Sequence, residues 1–269
     1  MLKLQNISYQ VQGNTILNQV SAAVKPGTFT ALMGSNGAGK STLLKIIAGE
    51  TSPTSGRVTW DQKSIPEWNA NELAKNRAVL RQQYSMQLPF SVQDIIAMGR
   101  YPHYKNTLTK ACKQVIQTVA EYTGVTHLMK RNYLTLSGGE QQRVQLARVL
   151  AQVWDTPAEQ KLILLDEPVS ALDIQYQHHL MALTQALTQH NFTIVAVLHD
   201  LNLAMQYADD ILLLKKGKVI TFAHKNEALQ HDTISETFGI AAALHQVEGY
   251  EHPIITVNHY HTPQHFNNL

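Results

Sequence analysis

The pattern of apolar and polar positions changes character three times along the chain. Residues 2–9 and 15–24 alternate with a period of two, and Gly13-Asn14 between them is a turn pair, which predicts an antiparallel hairpin. Residues 28–33 (TFTALM) are a short apolar run, a glycine-rich stretch follows, and residues 41–48 carry apolar side chains at three-to-four spacing, so strand, loop and helix are expected in that order. From about residue 91 to 152 the period-two signal stops, and residues 92–98, 109–122 and 140–152 follow helical spacing instead. Apolar runs return at 161–166, 192–198 and 210–214, separated by helical stretches, the alternation of a parallel sheet with crossover helices. Past about residue 241 only short strands and loop are expected. The division is therefore one α/β domain over residues 1–240, with a helical subdomain inserted at about 91–152, and an extension over 241–269.

Composition narrows this little. With 269 residues, 44% hydrophobic and 16% charged, the chain can bury a sizeable core, and a formal net charge of +2 offers no basic excess for nucleic acid. No run approaches the roughly 18 apolar residues of a spanning helix; those at 162–165 and 194–198 read as buried strands. The opening MLKLQNISYQ lacks an apolar core and a small-residue cleavage site, so no secretory signal is expected. The single cysteine, Cys112, rules out an internal disulfide and is expected half-buried in a helix, which favours a reducing compartment.

Chemistry enters at residues 34–41, GSNGAGKS, which match G-x-x-x-x-G-K-[ST] between the predicted strand and helix. Gly34, Gly37 and Gly39 allow positive φ and bring backbone N–H groups, including those of Ser35, Asn36 and Ala38, close to phosphate oxygens. Lys40 supplies a cation for the β and γ phosphates, Ser41 a hydroxyl for Mg²⁺, and Thr42 a hydroxyl toward the α phosphate, while the helix end there favours an anion. A second apolar run, LILLDEP at 162–168, closes with adjacent acids whose side chains a strand sends in different directions. Asp166 is the candidate for the Mg²⁺ shell and Glu167 for polarising the water that attacks the γ phosphate.

These motifs choose a superfamily and leave function open. LSGGEQQRVQLARVLA at 136–151 resembles the signature of the ATP-binding cassette (ABC) ATPases and the helix that follows it, and SALD at 170–173 resembles their D-loop. His199, at the end of TIVAVL, resembles the switch histidine, and Tyr9 the aromatic that stacks on adenine. Gln82 in AVLRQQ resembles the Q-loop glutamine, with Gln83 the alternative because Arg81 stands where relatives often carry proline; Val169 stands where threonine is common. The resemblance, from about residue 2 to 235, implies a P-loop NTPase fold of ABC type: a RecA-like core, an antiparallel β subdomain and a helical subdomain. It implies ATP and Mg²⁺ as ligands, Glu167, His199 and Gln82 in hydrolysis, and Ser41, Gln82 and Asp166 around the metal. Tyr9, residues 34–42, Ser137, Gly138, Gly139, Glu140 and Asp173 would contact nucleotide. Ser137 with Glu140 three residues on is also a capping-box pattern, so the signature opens a helix whichever role it plays. In the family that helix end completes the nucleotide site of a second copy in a head-to-tail dimer of C2 symmetry.

LPFSVQDIIAMGRYPH at 88–103 resembles importers of ferric siderophores, cobalamin and haem, and AQVWDTPAEQKLILLDEP with SALDIQYQ resembles haemin importer ATPases. This implies a motor on the cytoplasmic face of the inner membrane, docked on two permease subunits and served indirectly by a periplasmic substrate-binding protein, with no nucleic acid involved. Siderophore or cobalamin import, or a soluble ABC ATPase such as an iron–sulfur assembly component, is the alternative. His245, His252, His259, His261 and His265 lack the spacing of a helical ligand pair, and a solvated tail is expected there.

Overall fold

The computed structural model describes residues 1–81, 88–156, 160–170 and 172–257. The first alternating segments form β1 (Leu2–Val11) and β2 (Asn14–Val24), paired antiparallel. The turn lies one position earlier than the sequence suggests, because Gln12 and Gly13, at φ 49° and 81°, supply the two left-handed residues that a tight hairpin turn requires, and Asn14 opens β2.

After β3 (Phe29–Gly34) and α1 (Lys40–Ile47) come β4 (Ser55–Trp60) and β5 (Lys63–Ser64), which complete a four-stranded sheet in the order β2-β1-β4-β5. α2 (Ala70–Asn76) leads into β6 (Arg77–Leu80), a strand too short to stand out by pattern. Next come α3 (Val92–Met98), α4 (Lys110–Tyr122) and α5 (Gly138–Val153), close to the expected spans.

The strands β7 (Lys161–Asp166), β8 (Phe192–Val197) and β9 (Asp210–Lys215) follow, with α6 (Ile174–Leu187) and α7 (Leu201–Tyr207) between them. β10 (Lys218–His224) turns back along β9 as an antiparallel edge, and the second sheet runs β10-β9-β3-β8-β7-β6 with its other pairings parallel. The chain then passes through α8 (Lys225–Ala228) and α9 (His231–Phe238) to a hairpin of β11 (Ala242–His245) and β12 (Ile254–Val257). Asn202 ties that hairpin to α7, donating to the Ile255 carbonyl at 3.1 Å and accepting from its N–H at 2.8 Å.

The central strands are apolar on both faces, and their period-two alternation divides the core. Ile163, Leu165, Ile194, Ala196, Ile211 and Leu213 join one cluster with α3, α4 and α5, while Leu162, Leu164, Val195, Val197, Leu212 and Leu214 join another with α1 and the antiparallel sheet. Helix α1 and helix α5 therefore pack on opposite faces of the parallel sheet. On the α5 side the chain after α3 approaches so closely that a Cβ on Gly99 would lie 2.1 Å from the Arg148 carbonyl. Arg100 next to it is 1% exposed and donates to the Ala151 carbonyl at 2.5 Å and to both carboxylate oxygens of Asp155. Cys112 is fully buried beside it rather than half-buried. Among the described residues no helix is long and apolar enough to cross a membrane.

Candidate active site

The glycine-rich segment joins β3 to α1. Gly34, Gly37 and Gly39 take φ of 149°, 75° and 98°, and a Cβ on Gly34 would lie 2.1 Å from the Leu214 carbonyl oxygen, so strand packing as well as chain direction demands glycine there. The loop is closed by the Ala38 N–H on the Ser35 carbonyl at 3.1 Å and anchored by the Gly217 N–H on the Ala38 carbonyl at 3.1 Å. Asn36 and Gly37 are exposed. α1 begins after Gly39 with no side chain capping its first turn and no acid in it, so its free N–H groups face outward as an anion site.

Lys40 lies 6% exposed and donates to the carbonyls of Gly34 (2.8 Å) and Ser35 (3.1 Å). Burial lowers its pKa, and the carboxylates of Glu167 and Asp166 oppose that shift. Ser41 donates to Asp166 Oδ1 at 3.3 Å, a contact that follows from alternation, since Leu162, Leu164 and Asp166 share the α1 face of β7. Burial raises the Asp166 pKa, the Ser41 bond opposes this, and the like charge of Glu167 adds to it. Two neighbouring carboxyls with one pushed upward, beside a serine hydroxyl, suit a hard divalent cation, so the residues present fit Mg²⁺. Thr42 follows in the first turn of α1, half-buried. A cavity of about 190 Å³ opens beside Asp166, lined by Lys45, Glu50 and Arg81; Arg81 there pairs with Glu50 at 3.1 Å.

Glu167 follows the end of β7 at φ 50°, the left-handed region that non-glycine residues adopt at a cost. His199, two residues beyond the end of β8, places Nε2 2.8 Å from Glu167 Oε1. Residues 32 apart in sequence thus meet at the ends of adjacent parallel strands β7 and β8, the edge where ligands of open α/β sheets bind. Asp200 after the histidine caps α7 through the N–H groups of Asn202 and Leu203.

Tyr9 lies on β1 opposite Leu17, whose side chain sits where a Cβ on Gly39 would go, so the strand carrying it adjoins the phosphate loop. Gln82 and Gln83 lie outside the described residues, as do His259, His261 and His265. His245 bonds Thr256 across its own hairpin and His252 lies 3.2 Å from the Lys225 ammonium.

Ser137 and Gly138 are exposed at the start of α5, with Gly139 next. Ser137 Oγ accepts from the Glu140 N–H at 3.4 Å, and Glu140 Oε2 accepts from the Ser137 N–H at 2.8 Å. The buried apolar residues of α5 join the core cluster on one face of the sheet and those of α1 the cluster on the other. Asp173 caps α6 through the Tyr176 N–H at 3.0 Å. Sequence reasoning missed the amides that hold the Glu167 loop: Gln142 donates to the Pro168 carbonyl at 2.8 Å, and Gln177 to the carbonyls of Leu172 at 2.9 Å and Val169 at 3.3 Å. Polar residues on amphipathic helices ordinarily read as solvent-facing, so no local signal marks either glutamine.

Comparison with known proteins agrees with this geometry. The chain is 40% identical over 260 residues to the hemin import ATP-binding protein of Escherichia coli O157:H7, covering 96% of this chain and all of that protein. It is 43% identical over 241 residues to the protein of the same name from Gloeobacter violaceus, covering 89% of this chain and 88% of that one. An inward-facing structure described as a metal-chelate type ABC transporter superposes with a TM-score of 0.83 at 29% identity, covering 96% of this chain and 97% of that one. A dimeric bacterial ABC transporter cassette superposes with a TM-score of 0.72 at 28% identity, covering 84% and 99%. The ABC transporter family profile matches residues 17–170, and the chain belongs to that family.

Proposed function

We propose that the chain is the ATP-hydrolysing motor of an importer that carries haemin across the inner membrane. The observation that carries hydrolysis is the convergence of Ser41, Asp166, Glu167 and His199 beside an uncapped helix end and a buried lysine. Lys40 gives up the carbonyls of Gly34 and Ser35 for the β and γ phosphates of ATP, and the loop N–H groups take the remaining oxygens. Ser41 would hold Mg²⁺ with Asp166 in its shell, and the ion would supply charge neutralisation at the phosphates. Glu167 orients the attacking water, and its hydrogen bond to His199 fixes the carboxylate's direction; Gln82, or Gln83 beside it, is the candidate for metal ligand and sensor from the sequence resemblance alone.

Two copies stand head to tail, so that Ser137, Gly138, Gly139, Glu140 and Asp173 of one close over the nucleotide on Gly34 to Thr42 of the other, with Tyr9 against the adenine. ATP stabilises the closed pair because it touches both copies. Two permease subunits dock on the pair, which lies at the cytoplasmic face of the membrane, and a periplasmic binding protein delivers cargo to them. Residues 1–240 form the nucleotide-binding domain, with 91–152 as the part facing the permease and 241–269 as an extension. Haemin as cargo rests on the names of relatives at 40% and 43% identity; the metal-chelate neighbour favours ferric siderophore as the second reading.

Substituting Glu167→Gln should leave ATP binding intact, reduce turnover by about a hundredfold or more, and trap a dimer visible by size-exclusion chromatography with ATP. Turnover near the wild-type rate would remove Glu167 from its role. Transport of haemin, ferric siderophore and cobalamin by the chain reconstituted with its permease distinguishes the cargoes.

A further inference from the structure

We propose that Gln142 is a positioning residue that makes each copy's Glu167 respond to closure at the opposite nucleotide site. This rests on the two-site dimer described above and adds a connection within each copy. Glu167 occupies a left-handed backbone conformation at φ 50°, which persists only where the surroundings hold it. The loop after it is pinned carbonyl by carbonyl. Ser170 donates its N–H (3.4 Å) and hydroxyl (3.2 Å) to the Glu167 carbonyl, Gln177 of α6 donates to Val169 and Leu172, and Gln142 of α5 donates to Pro168 at 2.8 Å.

Gln142 stands one helical turn from the exposed start of α5, on the helix that carries the signature. A second contact couples the same helix end to the same loop. The Tyr176 ring lies where a Cβ on Gly139 would approach it to 3.3 Å, the Arg143 guanidinium sits 5.2 Å from that ring's centroid, and the Tyr176 N–H binds Asp173 Oδ1. The route by which a shift of Gly138 and Gly139 against a nucleotide on the partner reaches Pro168, whose N-terminal neighbour is Glu167, is the Gln142 hydrogen bond. The tyrosine and arginine make this one packed unit, and the Gln142 hydrogen bond is the link aimed at the glutamate.

The test uses full-length chains mixed so that every limiting subunit with intact Glu167 pairs with an excess partner carrying Glu167→Gln. Only the limiting subunit's glutamate then turns over. Gln142→Leu on the limiting subunit should lower kcat about tenfold or more, with the KM for ATP and the unfolding temperature unchanged. The same substitution on the partner, whose signature covers the working site, should leave kcat within about twofold. Gln142→Lys, which still presents a donor of similar reach, should restore most of the rate on the limiting subunit. Equal loss in both arms, loss in the partner arm alone, or no loss in either overturns the proposal. If Gln142→Leu does not fold, Gln142→Glu, which sets an acceptor against the Pro168 carbonyl, takes its place with the same expectations. A wild-type limiting subunit that hydrolyses no more ATP than the Glu167→Gln partner alone would instead overturn the two-site reading beneath it.

Discussion

Two helix N-termini in this chain are built for anions in opposite ways. At α1 the first turn has no side-chain cap and no acid, Gly39 precedes it at φ 98°, and Lys40 is buried against backbone carbonyls. At α5 the same orphan N–H groups are served from within the chain, since Ser137 caps the helix and the Glu140 carboxylate takes the Ser137 N–H and hydroxyl. A helix end uses either a side chain or a ligand to satisfy its first donors. The α1 end needs a ligand to be complete, whereas the α5 end is a stable helix start before any nucleotide arrives. The first therefore binds, and the second can afford to be exposed while it waits for a partner.

The largest expected effect tests how much of this difference is backbone. Gly34→Ala drives a Cβ to 2.1 Å from the Leu214 carbonyl oxygen, and that atom belongs to a central strand that cannot yield. Destabilisation above about 3 kcal/mol is expected in chemical unfolding. Gly139→Ala at the start of α5 brings a Cβ to 3.3 Å from the Tyr176 ring, which can shift a few tenths of an ångström, and should cost about 1 kcal/mol or less. Equal losses would erase the contrast between the two helix starts.

Next in size is the effect on nucleotide. Lys40→Ala should weaken ATP binding to the single subunit by about a hundredfold, roughly 2.7 kcal/mol, while Ser137→Ala should leave single-subunit affinity nearly unchanged and affect only hydrolysis by the dimer. Titration with a fluorescent ATP analogue at concentrations below dimerisation separates them. Comparable affinity losses would mean that both helix ends serve one nucleotide within one chain, which their places on opposite faces of the sheet argue against.

A stabilising substitution follows from the carboxyl pair. An acid whose folded pKa lies above its ordinary value weakens the fold once ionised, and regains that stability as pH falls through the raised pKa. Burial places Asp166 in this class. Asp166→Asn keeps an oxygen for the Ser41 hydroxyl and removes the charge, so it should raise stability at pH 7, by an amount that solvent screening of the partly exposed carboxyl keeps small, while abolishing hydrolysis. Lower stability in thermal unfolding would show that the carboxylate is already compensated.

Much of this was legible in the sequence because short-range rules carry it. The glycine spacing of residues 34–41 and the acids closing an apolar run at 162–167 are local patterns, although the packing of Gly34 on Leu214 and the left-handed backbone of Glu167 beyond the end of β7 are not. The parallel strands announced themselves as continuous apolar runs. β6 did not, since four residues of half-buried strand are indistinguishable from loop, and the edge strand β10 is half-exposed throughout. The Gln12-Gly13 turn was misplaced by one residue because nothing in a glutamine marks positive φ. Contacts between distant segments were hidden altogether. The fully buried Arg100 with Asp155, and Gln142 with Pro168, join residues 55 and 26 positions apart, and no local pattern records either pairing.

The smallest effect bears directly on the self-capped helix end. The hydrogen bond from the Ser137 N–H is the main reason that the Glu140 pKa lies below its ordinary 4.5; burial opposes it, and the Ser137 hydroxyl, Arg131 and Arg143 act in the same direction as the N–H. A carboxyl depressed in the folded state contributes stability that is present above its unfolded pKa and disappears as pH falls through the folded one. Glu140→Gln preserves the shape and the cap acceptor without the charge, so the wild type should exceed it by about 0.5 kcal/mol near pH 7. The gap should narrow below pH 4.5. Because the pair is solvent-facing, salt should shrink the gap as well. Thermal unfolding of both proteins across that range, at low and high salt, measures it. A gap independent of pH would mean that Glu140 acts by packing rather than charge, and the α5 end would then be no more satisfied electrostatically than the α1 end that waits for ATP.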